Sequence, residues 1–276
     1  MKPSISFEFF PPKTEQARVH FWEHVGRLAE LKPAFVTVTY GAGGSTRDWT
    51  IDTAIAVREK TGLPTAAHLT AIGTPRGEIR TMAKKLWDNG VRHIVALRGD
   101  MPKDPDVLQQ IEEMDCYKYS NELVAGLRSV HPFEISVGCY PEQHPEAASA
   151  QADLEALRHK VSAGADRAIT QFFFGNDIYF DFVKRVDGAG IKVPVVPGVL
   201  PIASFDKMLS FAAICRASVP DWLKKKFAGL EGDAARETAV GVLADQWRDL
   251  AARGTKHIHF YTLNRADLIT EAAAKL

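Results

Sequence analysis

The stretch NGVRHIVALRGD, Asn89–Asp100, carries the pattern that decides the fold. A segment of helical period, Arg76–Asn89, stops at Gly90, where a left-handed backbone is easiest for glycine. A short β-branched run follows, His93–Leu97, apolar enough for a strand covered on both faces. It ends abruptly in Arg98-Gly99-Asp100, three polar or turn-forming positions. The same junction recurs as TGLP at Gly62, AGADR at Gly164, AGIKV at Gly190 and RGTKH at Gly254.

Working outward, eight such runs are found: Ile5–Phe9, Phe35–Thr39, Thr65–Leu69, His93–Leu97, Glu134–Gly138, Arg167–Gln171, Val193–Pro197 and Ile258–Thr262. The first four start at 5, 35, 65 and 93, spacings of 30, 30 and 28. Helical patterns lie between them, at Glu15–Leu31, Asp48–Thr61, Arg76–Asn89, Ser120–Val130, Ala148–Ala163, Ile178–Ala189, Phe205–Arg216 and Ala234–Arg253, with a last amphipathic stretch at Arg265–Lys275. Serial βα units imply a parallel sheet, and eight of them imply an α/β (β/α)8 TIM barrel. A doubly wound open sheet is the competitor. No linker divides the chain, so residues 1–276 are expected to form a single catalytic domain. Met101–Tyr119 reads as a long polar loop and Ser218–Asp233 as an irregular insert.

Composition narrows the function. The chain has 276 residues, 46% hydrophobic and 25% charged, and its 34 basic and 34 acidic side chains cancel. A net charge of zero removes the electrostatic argument for a nucleic-acid or anionic-membrane binder, whose affinity usually rests on a cationic surface. The longest uncharged apolar stretch, Val193 to Phe205, holds three prolines and is too short to span a bilayer. Glu8 and two prolines interrupt any apolar core of a leader peptide. Three cysteines, none at C-x-x-C spacing, argue against a disulfide framework or zinc site, and a reducing cytoplasmic setting is expected.

In a barrel the strand C-termini share one rim, where active sites lie. The polar groups at those ends are Thr39, His68, Arg98-Gly99-Asp100, Tyr140 to His144, Gln171, and Tyr261 with Asn264 and Arg265. Glu8 lies inside the first strand, where an unpaired carboxylate is costly. It reads either as an inert core ion pair with a residue such as Arg98 or as a functional acid. His68 reads equally as a hydrogen-bonded core histidine. Gly41, Gly43 and Gly44 resemble a phosphate loop but lack both glycine-rich consensus patterns, and a turn capping a helix through Ser45 or Thr46 is the simpler reading. There is no G-x-S-x-G, no H-E-x-x-H, and no lysine at a strand end, which disfavours serine hydrolase, metallohydrolase and Schiff-base chemistry; no metal is expected.

Six segments in order resemble the methylenetetrahydrofolate reductase family: SFEFFPPKT at Ser6–Thr14, VTYGAGGSTRD at Val38–Asp48, HIVALRGD at His93–Asp100, YPEQHPEA at Tyr140–Ala147, AITQFFF at Ala168–Phe174 and HFYTLNRA at His259–Ala266. The resemblance covers nearly the whole chain. It implies bound FAD and reduction of 5,10-methylenetetrahydrofolate to 5-methyltetrahydrofolate by NADH or NADPH in ping-pong steps through flavin N5, in a homo-oligomer. By the same resemblance Glu8 and Asp100 are catalytic, the first as general acid and the second as the carboxylate beside flavin and pterin. FAD contacts fall to Thr39, His68, Arg98, Gly99, Asp100, Tyr119, Tyr140, His144, Ala147, Asp153 and Lys160, and substrate contacts to Gln171, Phe211 and Arg265. Ala156 and His159 stand where related bacterial enzymes often carry Asn and Arg, which implies weaker FAD retention, and Lys207 replaces a Gln near the folate. The alternative is a flavin- or folate-binding barrel without turnover.

Overall fold

A computed structural model describes residues 2–40, 47–102 and 104–276, and for 47 and 48 the backbone alone. The glycine turn expected at Gly41 to Thr46 therefore lies outside the described residues.

The chain alternates strands and helices: β1 (Ser4–Phe9), α1 (Glu15–Ala29), β2 (Phe35–Val38), α2 (Arg47–Thr61), β3 (Thr65–Thr70), α3 (Arg76–Asp88), β4 (His93–Leu97), α4 (Pro105–Glu113), α5 (Ser120–Arg128), β5 (Glu134–Cys139), α6 (Ala150–Ser162), β6 (Arg167–Thr170), α7 (Asn176–Gly188), β7 (Val195–Val196), β8 (Gly198–Val199), α8 (Phe205–Cys215), α9 (Asp221–Phe227), α10 (Gly232–Ala252), β9 (His257–Tyr261) and α11 (Asp267–Ala273). All pairings within the sheet are parallel, in the order β7-β6-β5-β4-β3-β2-β1-β9-β8. The two end segments are adjacent in sequence. β7 pairs with β6 through Ile169↔Val196, and β8 pairs with β9 through Gly198↔His259. They are two halves of the seventh barrel strand, so the sheet curls round to a nearly closed TIM barrel.

The expected run Val193–Pro197 is thus displaced and split. Pro197 has no N–H for the ladder and can only accept, as it does from His259 N–H at 2.9 Å. The five expected glycine stops all have positive φ: Gly62, Gly90, Gly164, Gly190 and Gly254. Two segments read as loops contain helices instead. In α4, Asp104 caps the Asp106 N–H and Pro105 opens the helix, and Val107, Leu108 and Ile111 share one face; start signal and apolar stripe are both present, but over only nine residues, none of them buried. In α9, Leu223 and Phe227 are buried one turn apart, too short a repeat to read as a period.

Strand alternation sorts the side chains. Ile5, Phe7 and Phe9 join Phe21, Val25 and Leu28 of α1 in the layer between sheet and helices. Ser4, Ser6 and Glu8 face the other way, into the barrel. Phe35 on β2 touches His93 on β4 and both His257 and His259 on β9, none of them on a strand hydrogen-bonded to β2. These rings therefore meet inside the barrel. Its interior, usually filled by branched apolar side chains, here holds buried Ser6, Thr37, His68, His93, Ser136 and His259. Among the described residues no helix is long and apolar enough to cross a membrane.

Candidate active site

A cavity of about 980 Å³ opens at the strand C-termini. That is near the upper end of the range for small-molecule and cofactor sites. Nine of the residues assigned above to FAD line it: Arg98, Gly99, Asp100, Tyr119, Tyr140, His144, Ala147, Asp153 and Lys160. The turn at Gly99, with φ of +87°, lets the chain double back above Thr70; an added Cβ would sit 3.2 Å from the Thr70 Cβ. Arg98 reaches Glu146 at 2.5 Å, so it is not the partner of Glu8. His144 accepts the Glu146 backbone N–H at Nδ1, which leaves the ring proton on Nε2 when the ring is neutral. Its backbone N–H in turn donates to Asp153. Lys160 donates to the Gly138 carbonyl at 2.7 Å, and burial pulls its ammonium below the ordinary lysine range. Ala156 and His159 also face this cavity.

Thr39 and His68 do not line the cavity wall. Thr39 is tied by its backbone, N–H to the Phe9 carbonyl and carbonyl to the Thr50 hydroxyl. His68 is buried inside the barrel with Nε2 3.5 Å from the Glu8 carboxyl. The residues expected to contact substrate occupy the opposite sector, from β6 round to β9. Gln171 turns its Oε1 onto the Phe172 N–H. Phe211 on α8 stacks on Phe172 at 5.1 Å and remains 42% exposed. Arg265 is exposed beyond a left-handed pair, Leu263 and Asn264, whose asparagine bonds both backbone groups of Phe10.

Glu8 sits between the two sectors. Its carboxyl faces His68 at 3.5 Å and His259 at 3.7 Å. Burial raises its pKa above the usual carboxylate value, partly offset by His68. Burial lowers His68 to about 4, and burial with the nearby Arg167 cation lowers His259 to about 3. Both imidazoles are neutral at neutral pH, so neither supplies a full positive charge to hold the carboxylate ionised. The arrangement favours a carboxylic acid able to give up a proton.

Tyr261 stands out in the sequence at its strand end, whereas His259 and Ser6 do not. The signal was present as period-two alternation: His257, His259 and Tyr261 share one face of β9, as Ser4, Ser6 and Glu8 share one face of β1. Tyr261 donates to the Thr170 carbonyl at 2.6 Å and closes the mouth's floor over the β6–β9 seam.

Comparison with known proteins agrees with this geometry. The family model for methylenetetrahydrofolate reductase matches residues 1–276. The chain is 46% identical over 267 residues to the 5,10-methylenetetrahydrofolate reductase of Salmonella typhimurium, covering 96% of this chain and 88% of that one. Identity to the Escherichia coli enzyme of the same description is 45% with the same coverage. A solved Clostridium thermocellum protein described as binding two copies of 5-methyl-5,6,7,8-tetrahydrofolic acid superposes with a TM-score of 0.66 at 15% identity, over 99% of this chain and 93% of its own, which is a likeness of fold. The chain belongs to the methylenetetrahydrofolate reductase family.

Proposed function

We propose that this chain uses FAD to reduce 5,10-methylenetetrahydrofolate to 5-methyltetrahydrofolate, with NADH or NADPH as donor and ping-pong order. The observation that carries the reading is the Glu8 carboxyl, buried against two neutral histidines inside a barrel whose rim carries a large cavity.

The residues present suit FAD. The cavity offers apolar wall at Leu97, Ile111 and Met114 for a flat ring. It offers Arg98, His144 and Lys160 for a diphosphate. The Lys160 ammonium, with one backbone carbonyl as its bonded partner, keeps donors for an anion. When bound, FAD takes a hydride from the nicotinamide and returns it to the folate one-carbon unit. Glu8 gives its proton to the departing nitrogen of the folate's five-membered ring as the C–N bond breaks, and the electron pair of that bond takes up the proton. Asp100 accepts from the donor edge of the pterin, and a carboxylate there can do so bidentately. Phe211 supplies a face for stacking, Gln171 an amide contact, and Arg265 a cation for the substrate. The cytoplasmic setting rests on three cysteines, all unpaired.

The experiment is anaerobic. Purified protein with FAD is expected to bleach with NADH or NADPH and recolour with methylenetetrahydrofolate, and initial rates should give parallel double-reciprocal lines. Intersecting lines would exclude the ping-pong order. A protein that bleaches but never recolours with folate would exclude the reductase reading.

FAD retention is expected to be weak. His159 is 62% exposed and leans toward Glu155 at 3.5 Å, and Ala156 offers no polar group. His159→Arg should tighten FAD by about tenfold, from about 1–2 kcal/mol of restored charge-assisted bonding. Flavin fluorescence on dilution reads this directly, and unchanged release from the variant would remove position 159 from the diphosphate's surroundings.

A further inference from the structure

A continuous polar chain runs along the barrel interior from the strand N-termini to Glu8. Ser4 Oγ lies 3.2 Å from the Lys256 carbonyl and 2.6 Å from His257 Nδ1. Ser6 Oγ bridges His257 Nε2 at 2.8 Å and His259 Nδ1 at 2.7 Å. His259 Nε2 then faces Glu8 Oε2 at 3.7 Å.

Proton counting gives the chain a direction. A carbonyl only accepts, each hydroxyl has one hydrogen, and each neutral imidazole has one N–H. If Ser4 donated to His257, its oxygen would confront the Lys256 carbonyl with lone pair against lone pair. Both contacts are satisfied when Ser4 donates to the carbonyl and accepts from His257 Nδ1–H. His257 Nε2 is then bare and takes the Ser6 hydrogen. Ser6, its hydrogen used, accepts from His259 Nδ1–H. His259 is left with a bare Nε2 toward Glu8. A lone pair repels a carboxylate and attracts the O–H of a carboxylic acid.

We infer that Ser4, His257, Ser6 and His259 form a proton-ordering chain, anchored at the Lys256 carbonyl, that holds Glu8 in its proton-donating form. His257 and Ser4 are positioning residues, acting through His259, and the inference rests on the reading of Glu8 as the acid. The other groups around the chain, His68 apart, are compatible with it. Burial lowers His257 and His259 to about 3 and keeps them neutral, helped by their mutual proximity for His257 and by the nearby Arg167, which pairs with Glu134, for both. His93 bonds Ser136 rather than the chain, and Phe35 stacks on His257 at 5.2 Å. On the Glu8 side, Tyr261 spends its hydrogen on the Thr170 carbonyl. His68 Nε2, 3.5 Å from the Glu8 carboxyl and without a hydrogen-bond partner, is the one neighbour among the described residues that works against the chain, lowering the Glu8 pKa that burial raises. Thr37 stands opposite Glu8 on β2 and carries no charge.

The test titrates Glu8 in the full chain without folate, by the infrared carboxylic-acid carbonyl band that Glu8→Gln removes. Ser4→Ala breaks the anchor at an exposed position, and His257→Phe removes the relay while keeping a ring on Phe35. Both should lower the midpoint of the band by roughly one pH unit. Ser4→Thr, which keeps the hydroxyl, should restore the native midpoint. The descending pH limb of the folate half-reaction should shift by the same amount, with the nicotinamide half-reaction unmoved. An unchanged or raised midpoint in Ser4→Ala, or no Glu8 acid band at any pH, overturns the inference. Should the midpoints shift while folate is never reduced, the functional reading fails and the ordering chain stands.

Discussion

Glu8→Gln is expected to spare reduction of the flavin by NAD(P)H and to slow the folate half-reaction by about 10²–10⁴-fold, the usual worth of a general acid. Glutamine keeps the shape and both hydrogen-bonding ends of the side chain but has no proton to give. The nicotinamide half-reaction needs no proton at this position, so stopped-flow bleaching should proceed as in the native protein. Recolouring by methylenetetrahydrofolate should nearly stop. The pH dependence has a definite sign. A general acid works while protonated, so the native folate half-reaction falls as pH rises through the Glu8 pKa, which burial places above the ordinary carboxylate value. The variant should lose that limb. Equal loss in both half-reactions would mean that residue 8 shapes the pocket rather than donating the proton.

Much of the barrel is legible in the sequence because its signals are local. A β-branched run, a glycine stop and a helical period recur, and each reports a backbone conformation the chain must adopt whatever surrounds it. His93–Leu97 is a strand over those same residues. The misreadings have equally local causes. The apolar face of α4 spans only nine residues and none of it is buried, and Pro197 breaks a strand whose partners lie far away in sequence. The residues from Arg98 to Lys160 expected to contact FAD rest on motif resemblance, and the cavity gathers nine of them. The environment of Glu8 was not legible. Whether that carboxyl meets Arg98 or two histidines depends on which side chains the closed sheet brings across its interior, and the β9 histidine that faces it, His259, is 251 positions away in the chain. Alternation on β9 points His257 and His259 inward together, but only closure shows that Ser6 lies between them.

Closure itself makes the second large prediction. Gly198→Ala is expected to destabilise the protein by about 3 kcal/mol or more, lowering Tm by roughly 5–10 °C. A Cβ at this position would lie 2.2 Å from the Thr170 backbone carbonyl, 2.6 Å from Tyr261 Cε2 and 2.8 Å from its hydroxyl. The tyrosine ring can shift at some cost. The carbonyl cannot, because the Thr170 hydroxyl accepts the Gly198 N–H at 2.9 Å and β6 is held on its other edge by β5. The substitution must therefore push β8 away from β6 at the place where the barrel closes. Tyr261→Phe in the same background should give little rescue, since the backbone contact remains. Gly26→Ala is the control: it lies inside α1 with nothing within 4 Å of its added Cβ, and should be neutral or stabilising by about 0.5–1 kcal/mol. If Gly198→Ala melted with the native protein while Gly26→Ala behaved as stated, the seam would be loose enough to absorb a methyl group. The Tyr261–Thr170 contact could not then be what holds the floor of the mouth in place beside Glu8.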